Sequence, residues 1–157
     1  MPYSASLIAY AFVKKGIEDG IPVTQMKLQK LVYFANGIHL AQHGTPLIKE
    51  KFQAWKFGPV VRNIYNTFRF YGSEPISDTY WLFLSGDLEK ELKKLDSEAQ
   101  TTISATWESL KTFTAAQLSN WTHKSGSPWE KVFVAEMKDV IIPDDDIKEY
   151  FKRYLVK

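Results

Sequence analysis

The sequence predicts a mainly α-helical protein, a compact helical domain around a buried central helix with a minor short β element. Two observations predict this class. Apolar residues recur at the spacing of a helix face along most of the chain, and between residues 24 and 43 they cover most of the helix circumference, which is typical of a buried helix. The strand-like runs are short and confined to residues 46–84, which is too little for a sheet-based fold.

The first two elements are predicted to be helices. Residues 4–18 form the first, with Ser4 as its N-cap, and it ends near the following glycine. Residues 21–23 form an extended link, because Pro22 disfavours the α conformation in the residue before it. Residues 24–43 form the second helix, which is the one expected at the centre of the protein.

The middle of the chain is predicted to contain the β element and a short helix. Residues 46–57 are expected to form a loop and a strand, with residues 78–84 as a possible partner strand. Between them, Gly58 is predicted as a helix N-cap and Pro59 as the first helical residue, since its fixed φ suits that position. This helix is expected to end at Gly72.

The rest of the chain is predicted to return to helix. Residues 88–110 carry an apolar stripe, and residues 96–98 are expected to cap a new helix within it. A shorter capped helix follows at residues 115–122, and residues 124–128 form a loop. The last helix begins with three aspartates, ends with basic residues, and has an apolar face made of Ile147, Tyr150, Phe151 and Tyr154.

Length and composition limit the classes of function. A chain of 157 residues is expected to form a single domain over residues 1–157. The absence of cysteine excludes disulfides, thiolate catalysis and cysteine-based zinc sites. The first residues lack the basic segment of a signal peptide and no apolar run is long enough to span a bilayer, so we expect a cytoplasmic protein. A net charge of +2 does not by itself predict nucleic-acid binding.

Three motif segments occur in a fixed order, at residues 27–35, at 54–61, and at 118–123 with 127–129. In order and spacing they resemble the Panacea domain, the phage-associated GepA-like family that includes the SocA-type antitoxins. The resemblance is strongest over residues 24–129, and Trp121 stands where the family pattern favours a smaller aliphatic residue. It implies a bacterial or phage antitoxin that neutralises a co-encoded toxin by protein–protein binding.

We interpret the motif residues as structural supports that fix a surface. They are Trp55, Lys56, Gly58, Pro59, Val60, Thr122, His123, Pro128 and Trp129. The two tryptophans of this set, Trp55 and Trp129, are expected to be largely buried. The candidate partner-binding surface is the polar face of the helix after Pro59 together with the loop after Thr122. Its members are Arg62, Asn66, Arg69, His123, Lys124 and Ser125.

Catalytic motifs are not found in the sequence, so we predict no enzyme activity and no cofactor. His39 and His43 have the spacing of two metal ligands on one helix, with His123 or a carboxylate such as Glu50 as a third. His39 lies among apolar neighbours, however, and we interpret it as a core histidine that donates to a backbone carbonyl. The prediction is therefore no metal site, and a metal-dependent hydrolase ranks last among the functions.

A DNA-binding transcriptional regulator is the alternative function. The first two helices resemble a helix-turn-helix, in which the start of the second helix reads base edges. Gln25, Lys27, Gln29 and Lys30 would suit that role. A helix this apolar cannot present a whole face to a groove, so only its N-terminal tip is available. Operator DNA or a protease are further partners that an antitoxin could use.

Overall fold

The computed structural model describes residues 2–76 and 86–155, and it has the mainly α-helical architecture that the sequence predicts. In chain order the helices are α1 (Ala5–Asp19), α2 (Gln25–His43), α3 (Arg62–Phe68), α4 (Gly86–Lys93), α5 (Ser97–Leu110), α6 (Ala115–Thr122), α7 (Pro128–Val132) and α8 (Asp144–Tyr150). A 3-10 turn (Arg69–Tyr71) follows α3, and a π-helical turn (Phe151–Leu155) follows α8. The strands are β1 (Phe52–Trp55), β2 (Gly58–Val60) and β3 (Ile141–Ile142).

Local capping determines where four of these helices begin, as predicted. Ser4, Thr24, Asp96 and Thr114 each accept a hydrogen bond from the backbone N–H three residues further along. Both α1 and α2 end at a glycine in the left-handed conformation. In the described parts of the chain no helix is both long and apolar enough to cross a bilayer.

The predicted central helix is confirmed as α2. It packs against α1, α3, α5, α6, α8 and β2, and most of its 19 residues are buried. Gly37 lies where the π-helical turn crosses it, and a Cβ atom there would overlap the ring of Phe151. The glycine therefore permits the close approach of an aromatic ring to the middle of α2.

Buried polar side chains of α2 hold the segments that surround it. The Asn36 side-chain oxygen accepts hydrogen bonds from the backbone N–H groups of Leu47, at 2.8 Å, and Ile48, at 3.3 Å. The Lys27 ammonium donates to the Lys111 carbonyl beyond the end of α5, at 2.5 Å. The bonds from Asn36 satisfy backbone N–H groups of a buried loop that would otherwise lack partners. The helix thus organises its neighbours by polar as well as apolar contacts.

The sheet differs from the prediction. It is antiparallel with the order β2-β1-β3, and β1 and β2 form a hairpin in which Trp55 pairs with Gly58. Gly58 and Pro59 therefore lie in a strand, and the prediction that they start a helix is wrong, since α3 begins at Arg62. Pro59 is tolerated because β2 is an edge strand, where a missing N–H leaves no ladder bond unmade. The predicted partner strand at residues 78–84 lies outside the described residues.

The C-terminal helix is shorter than its apolar pattern predicts. Ile147 and Phe151 are fully buried, and Tyr150 packs partly against the core. Tyr154 is 57% exposed, so the predicted apolar face is not buried along its whole length. The regular helix ends at Tyr150, and the wider π-helical turn that follows changes the angle at which later side chains project.

Candidate functional site

The three motif segments converge on one region, which we call the motif corner: Lys30 of α2, the β1–β2 hairpin, the end of α6 and Trp129. The closest approach is at Gly58. A Cβ atom there would lie 2.8 Å from the Lys30 Cε and 2.8 Å from the Thr122 Oγ1. Gly58 also has a φ of +119°, which favours glycine. Conformation and close packing both require glycine where the hairpin meets α2 and α6.

Side-chain donors hold the backbone of the hairpin turn. The Trp129 indole Nε1 donates to the Trp55 carbonyl at 2.6 Å. The Ser119 hydroxyl donates to the Phe57 carbonyl, also at 2.6 Å. Because these bonds use backbone carbonyls, they fix the path of residues 55–57 whatever side chains those residues carry. The predicted role of the motif as a set of structural supports is consistent with these contacts.

Two further side chains of α2 complete the corner, although their sequence positions suggested contacts with DNA. Gln29 bonds both ways to the backbone of Val61, accepting from its N–H at 2.9 Å and donating to its carbonyl at 3.2 Å. The Lys30 ammonium is buried and donates to the Pro59 carbonyl at 3.4 Å. Burial lowers the pKa of Lys30 to about 7. These two residues anchor the strand that leads into α3.

These contacts overturn the proposed DNA-reading tip. Lys27, Gln29 and Lys30 are only 6%, 1% and 1% exposed, and all three bond to the protein's own backbone. A side chain that is buried and already bonded cannot reach a base edge. Of the four residues suggested for that role, only Gln25 remains partly accessible.

His123 lies inside the corner rather than on an open loop. Its ring meets Trp129 edge-on with the centroids 4.0 Å apart, and its Nε2 is buried without a hydrogen-bond partner. Burial lowers the pKa of His123, the charge of Lys30 lowers it further, and the Lys56 carbonyl acts in the opposite direction. At neutral pH the imidazole is therefore uncharged. His123 therefore packs within the motif corner and does not offer a charged group to a binding partner.

The two tryptophans lie at the edge of the core. Trp55 and Trp129 are both partly buried, and neither belongs to the fully buried core. Side chains alternate along β1, with Phe52 and Ala54 facing the core, which leaves Trp55 on the outer side. Trp129 packs from outside, with its ring stacked on Phe133 at 4.4 Å.

The predicted partner-binding residues fall on two separate parts of the surface. Arg62, Asn66 and Arg69 are exposed on α3 or directly after it, and the Arg62 guanidinium lies 5.3 Å from the centre of the Trp55 ring. Lys124 and Ser125 are exposed and border a cleft of about 550 Å³ that is also lined by Trp121 and Tyr154. The α3 part of the predicted surface is thus continuous with the motif corner, and the loop part faces the C-terminal turn.

A smaller cleft of about 360 Å³ lies beside the hairpin, and we call it the hairpin cleft. Its apolar lining includes Met26, Trp55 and Phe57, and its basic lining includes Lys56 and Lys138. Phe57 is 56% exposed. The Lys138 ammonium lies 5.0 Å from the centre of the Trp55 ring. Met26 and Lys138 were not predicted as site residues from the sequence. For Lys138, nothing near that position indicates that the chain returns to the hairpin.

His39 is a buried histidine in contact with a backbone carbonyl, as the sequence predicts. That side chain is 7% exposed, and its Nδ1 lies 2.7 Å from the Thr45 carbonyl. The suggested third ligands lie elsewhere: Glu50 accepts from the Ala5 N–H at 2.9 Å, and His123 belongs to the motif corner. The acidic neighbour of the pair is instead Glu98, which the sequence pattern does not indicate.

Comparisons with known proteins identify the family to which the motif segments belong. Residues 28–130 match the family described as antitoxin SocA-like, Panacea domain. Antitoxin SocA of Caulobacter vibrioides (strain NA1000 / CB15N) is 31% identical over 133 residues, which are 82% of this chain and 69% of that protein. No solved structure matches the chain. The resemblance carried by the three motif segments is confirmed, and the chain belongs to the SocA-like antitoxin family with the Panacea domain.

Proposed function

We propose that this chain neutralises a toxin encoded by a neighbouring gene, by direct protein–protein contact rather than by catalysis, in the cytoplasm. Membership of the SocA-like antitoxin family supports the role. The observation that carries the binding mode is the exposed, supported tip of the β1–β2 hairpin. Phe57 projects from a turn whose backbone is held from behind by Ser119 and Trp129.

An anchor of this kind suits recognition of a protein. An exposed aromatic side chain on a fixed backbone loses little conformational freedom on binding, so more of its contact energy appears as affinity. Beside Phe57, the hairpin cleft supplies a second apolar contact area that includes Met26, which is 36% exposed. The candidate interface is therefore the hairpin tip, the hairpin cleft and the adjoining face of α3.

Charge indicates which partner surface would fit. The cationic groups beside the cleft are Lys56, Lys138 and Arg62, and among the described residues that line the cleft none is acidic. An apolar cleft with a basic rim is complementary to an apolar side chain flanked by Asp or Glu. We therefore infer that the toxin presents an acidic, partly apolar segment to this surface.

Co-expression with the neighbouring gene product tests the proposal. The wild-type chain should restore growth of cells that produce the toxin, and the two proteins should co-purify. Phe57→Ala should weaken the complex by about tenfold or more, because central anchors dominate interface energies. Arg62→Glu should also weaken it, because the substitution reverses a charge of the basic rim. Both residues are exposed, so the melting temperature should change little.

A matched charge reversal serves as the control. Lys90 is exposed on α4, which packs on α1 and contributes nothing to the hairpin cleft. Lys90→Glu should therefore bind and rescue like the wild type. Full rescue by both Phe57→Ala and Arg62→Glu would refute the proposed surface. A neighbouring gene product that is harmless alone, or failure of the two proteins to form a complex, would refute the antitoxin role.

A further inference from the structure

A group of potential metal ligands lies where the end of α2 meets the start of α5. His39 and His43 are one turn apart on α2, and Glu98 is in the first turn of α5. One ligand atom from each of the three side chains can be chosen so that all lie within 4.8 Å of one another. The His43 Nδ1 and the Glu98 Oε2 are 3.6 Å apart. This cluster is separate from the motif corner and has no part in the proposed toxin contact.

The tautomer of His39 is a second observation in favour of a metal site. Its Nδ1 is 2.7 Å from the Thr45 carbonyl, which can only accept, so Nδ1 carries the proton. The Nε2 lone pair is then available for a ligand. Histidines that bind metals usually donate their other ring nitrogen to a carbonyl or carboxylate in this way, because the bond fixes both the tautomer and the ring orientation.

The one measured distance between ligand atoms of different side chains fits a small tetrahedral ion. Zinc bonds of about 2.0–2.1 Å place neighbouring ligand atoms about 3.4 Å apart, close to the His43–Glu98 separation. Two imidazoles and one carboxylate suit zinc and its neighbours in the first transition series, whereas magnesium prefers oxygen ligands and retains several waters. We propose that His39, His43 and Glu98 bind one zinc-class divalent ion, with water in the fourth position.

A bound ion would add a metal-mediated link between two elements of the fold. It would tie the C-terminal turn of α2 to the N-terminal turn of α5, which are far apart in the sequence. The competing interpretation is a simple ion pair between protonated His43 and Glu98. The two differ in pH dependence: a metal needs neutral imidazoles and is released on acidification, whereas the ion pair forms only when the histidine is protonated.

Zinc titration of the full chain, purified without a tag and treated with a chelator, tests the proposal. Calorimetry with zinc chloride at about pH 7.4, where free imidazoles are mostly neutral, should show one ion bound per chain. The melting temperature should rise by several degrees, since an ion that binds the folded state stabilises it. Magnesium chloride should produce neither effect. Acidification should release the zinc, because protons compete with the metal for its ligands.

Variants at the exposed ligands identify the site. His43→Gln and Glu98→Gln should each weaken zinc binding at least tenfold, and the melting temperature of the metal-free proteins verifies that both fold. Glu108→Gln is the control, because Glu108 is exposed on the same helix outside the cluster. His123 is retained in every variant, so zinc held by an isolated histidine would persist. Absence of binding, or equal binding by both ligand variants and the control, would overturn the proposal, and neither result bears on toxin neutralisation.

Discussion

At the scale of single residues, Lys30 has the most unusual environment. It is fully buried under the hairpin, and in the described residues no carboxylate lies within ion-pair distance of its ammonium. Its hydrogen bond to the Pro59 carbonyl compensates only partly for lost hydration. A lysine held in this way lowers the stability of the fold whenever it is charged. Its place against Gly58 indicates that the aliphatic chain is needed for packing.

The stability of the protein should therefore rise with pH in a defined window. The pKa of Lys30 is about 7 in the folded protein and 10.5 for a solvated lysine, so between these values the unfolded chain binds more protons. Raising the pH from about 7 to about 9 should stabilise the wild type by about 2 kcal/mol relative to Lys30→Met. Urea unfolding of both proteins at the two pH values measures this difference.

Between about pH 7 and 9, protonation of His123 does not contribute to the difference between the two proteins. Lys30 influences the pKa of His123, which already lies below 6.5, so above neutral pH this imidazole stays uncharged in both proteins. Other titrating groups are shared and cancel in the difference. Equal changes in the two unfolding free energies would show that Lys30 is not buried as a charge-sensitive group.

At the scale of elements, α2 determines the packing of the protein through its smallest residue. Gly37 sits in the middle of the helix, where glycine is intrinsically unfavourable by about 1 kcal/mol relative to alanine. The nearby ring of Phe151 leaves no room for a methyl group. Local helix propensity and tertiary packing therefore oppose each other at this position.

Packing should dominate at Gly37. Gly37→Ala should destabilise the protein by roughly 1–3 kcal/mol, the range for overpacked cores, although helix propensity alone predicts a gain. Denaturant unfolding measures the change. The double variant Gly37→Ala with Phe151→Leu should show a favourable coupling of at least about 0.5 kcal/mol. A stabilising effect of Gly37→Ala would mean that the turn after α8 can move away from α2.

The elements also show why sequence predicts some features and not others. Caps such as Thr24 were predictable because the cap, its partner N–H and the helix lie within four residues. Gly58 and Pro59 were misassigned because the same pair suits a helix start and an edge strand, and the choice depends on Lys30 and Thr122 far away in the chain. Glu98 was missed for the same reason, since its proximity to the histidines exists only after α2 and α5 pack.

At the scale of the whole molecule, positive and negative charges are unevenly distributed, although the net charge is only +2. Basic groups surround the hairpin cleft, while three consecutive aspartates, residues 144–146, begin α8. A local basic field of this kind accelerates encounters with an acidic surface without contributing much to the lifetime of the complex. The proposed toxin contact should therefore show its charge dependence mainly in the association rate.

Association with the toxin should slow as salt is added. Between about 50 and 500 mM salt the association rate should fall severalfold while the dissociation rate changes less, because screening acts on charges before contact. Arg62→Glu should lower the association rate at low salt and flatten its salt dependence. Stopped-flow or surface-based kinetics would measure both rates. A salt-independent association rate would argue against recognition through the basic rim.

The way the hairpin is attached has a consequence for how such proteins diversify. The supports from Ser119 and Trp129 hold carbonyl oxygens, which every amino acid supplies, and leave the side chain of Phe57 outside. Replacing that side chain alters what is displayed without disturbing what holds the turn. Substitutions at the tip can therefore accumulate without affecting folding. One scaffold can acquire a new binding preference in this way while its core and its stability stay the same.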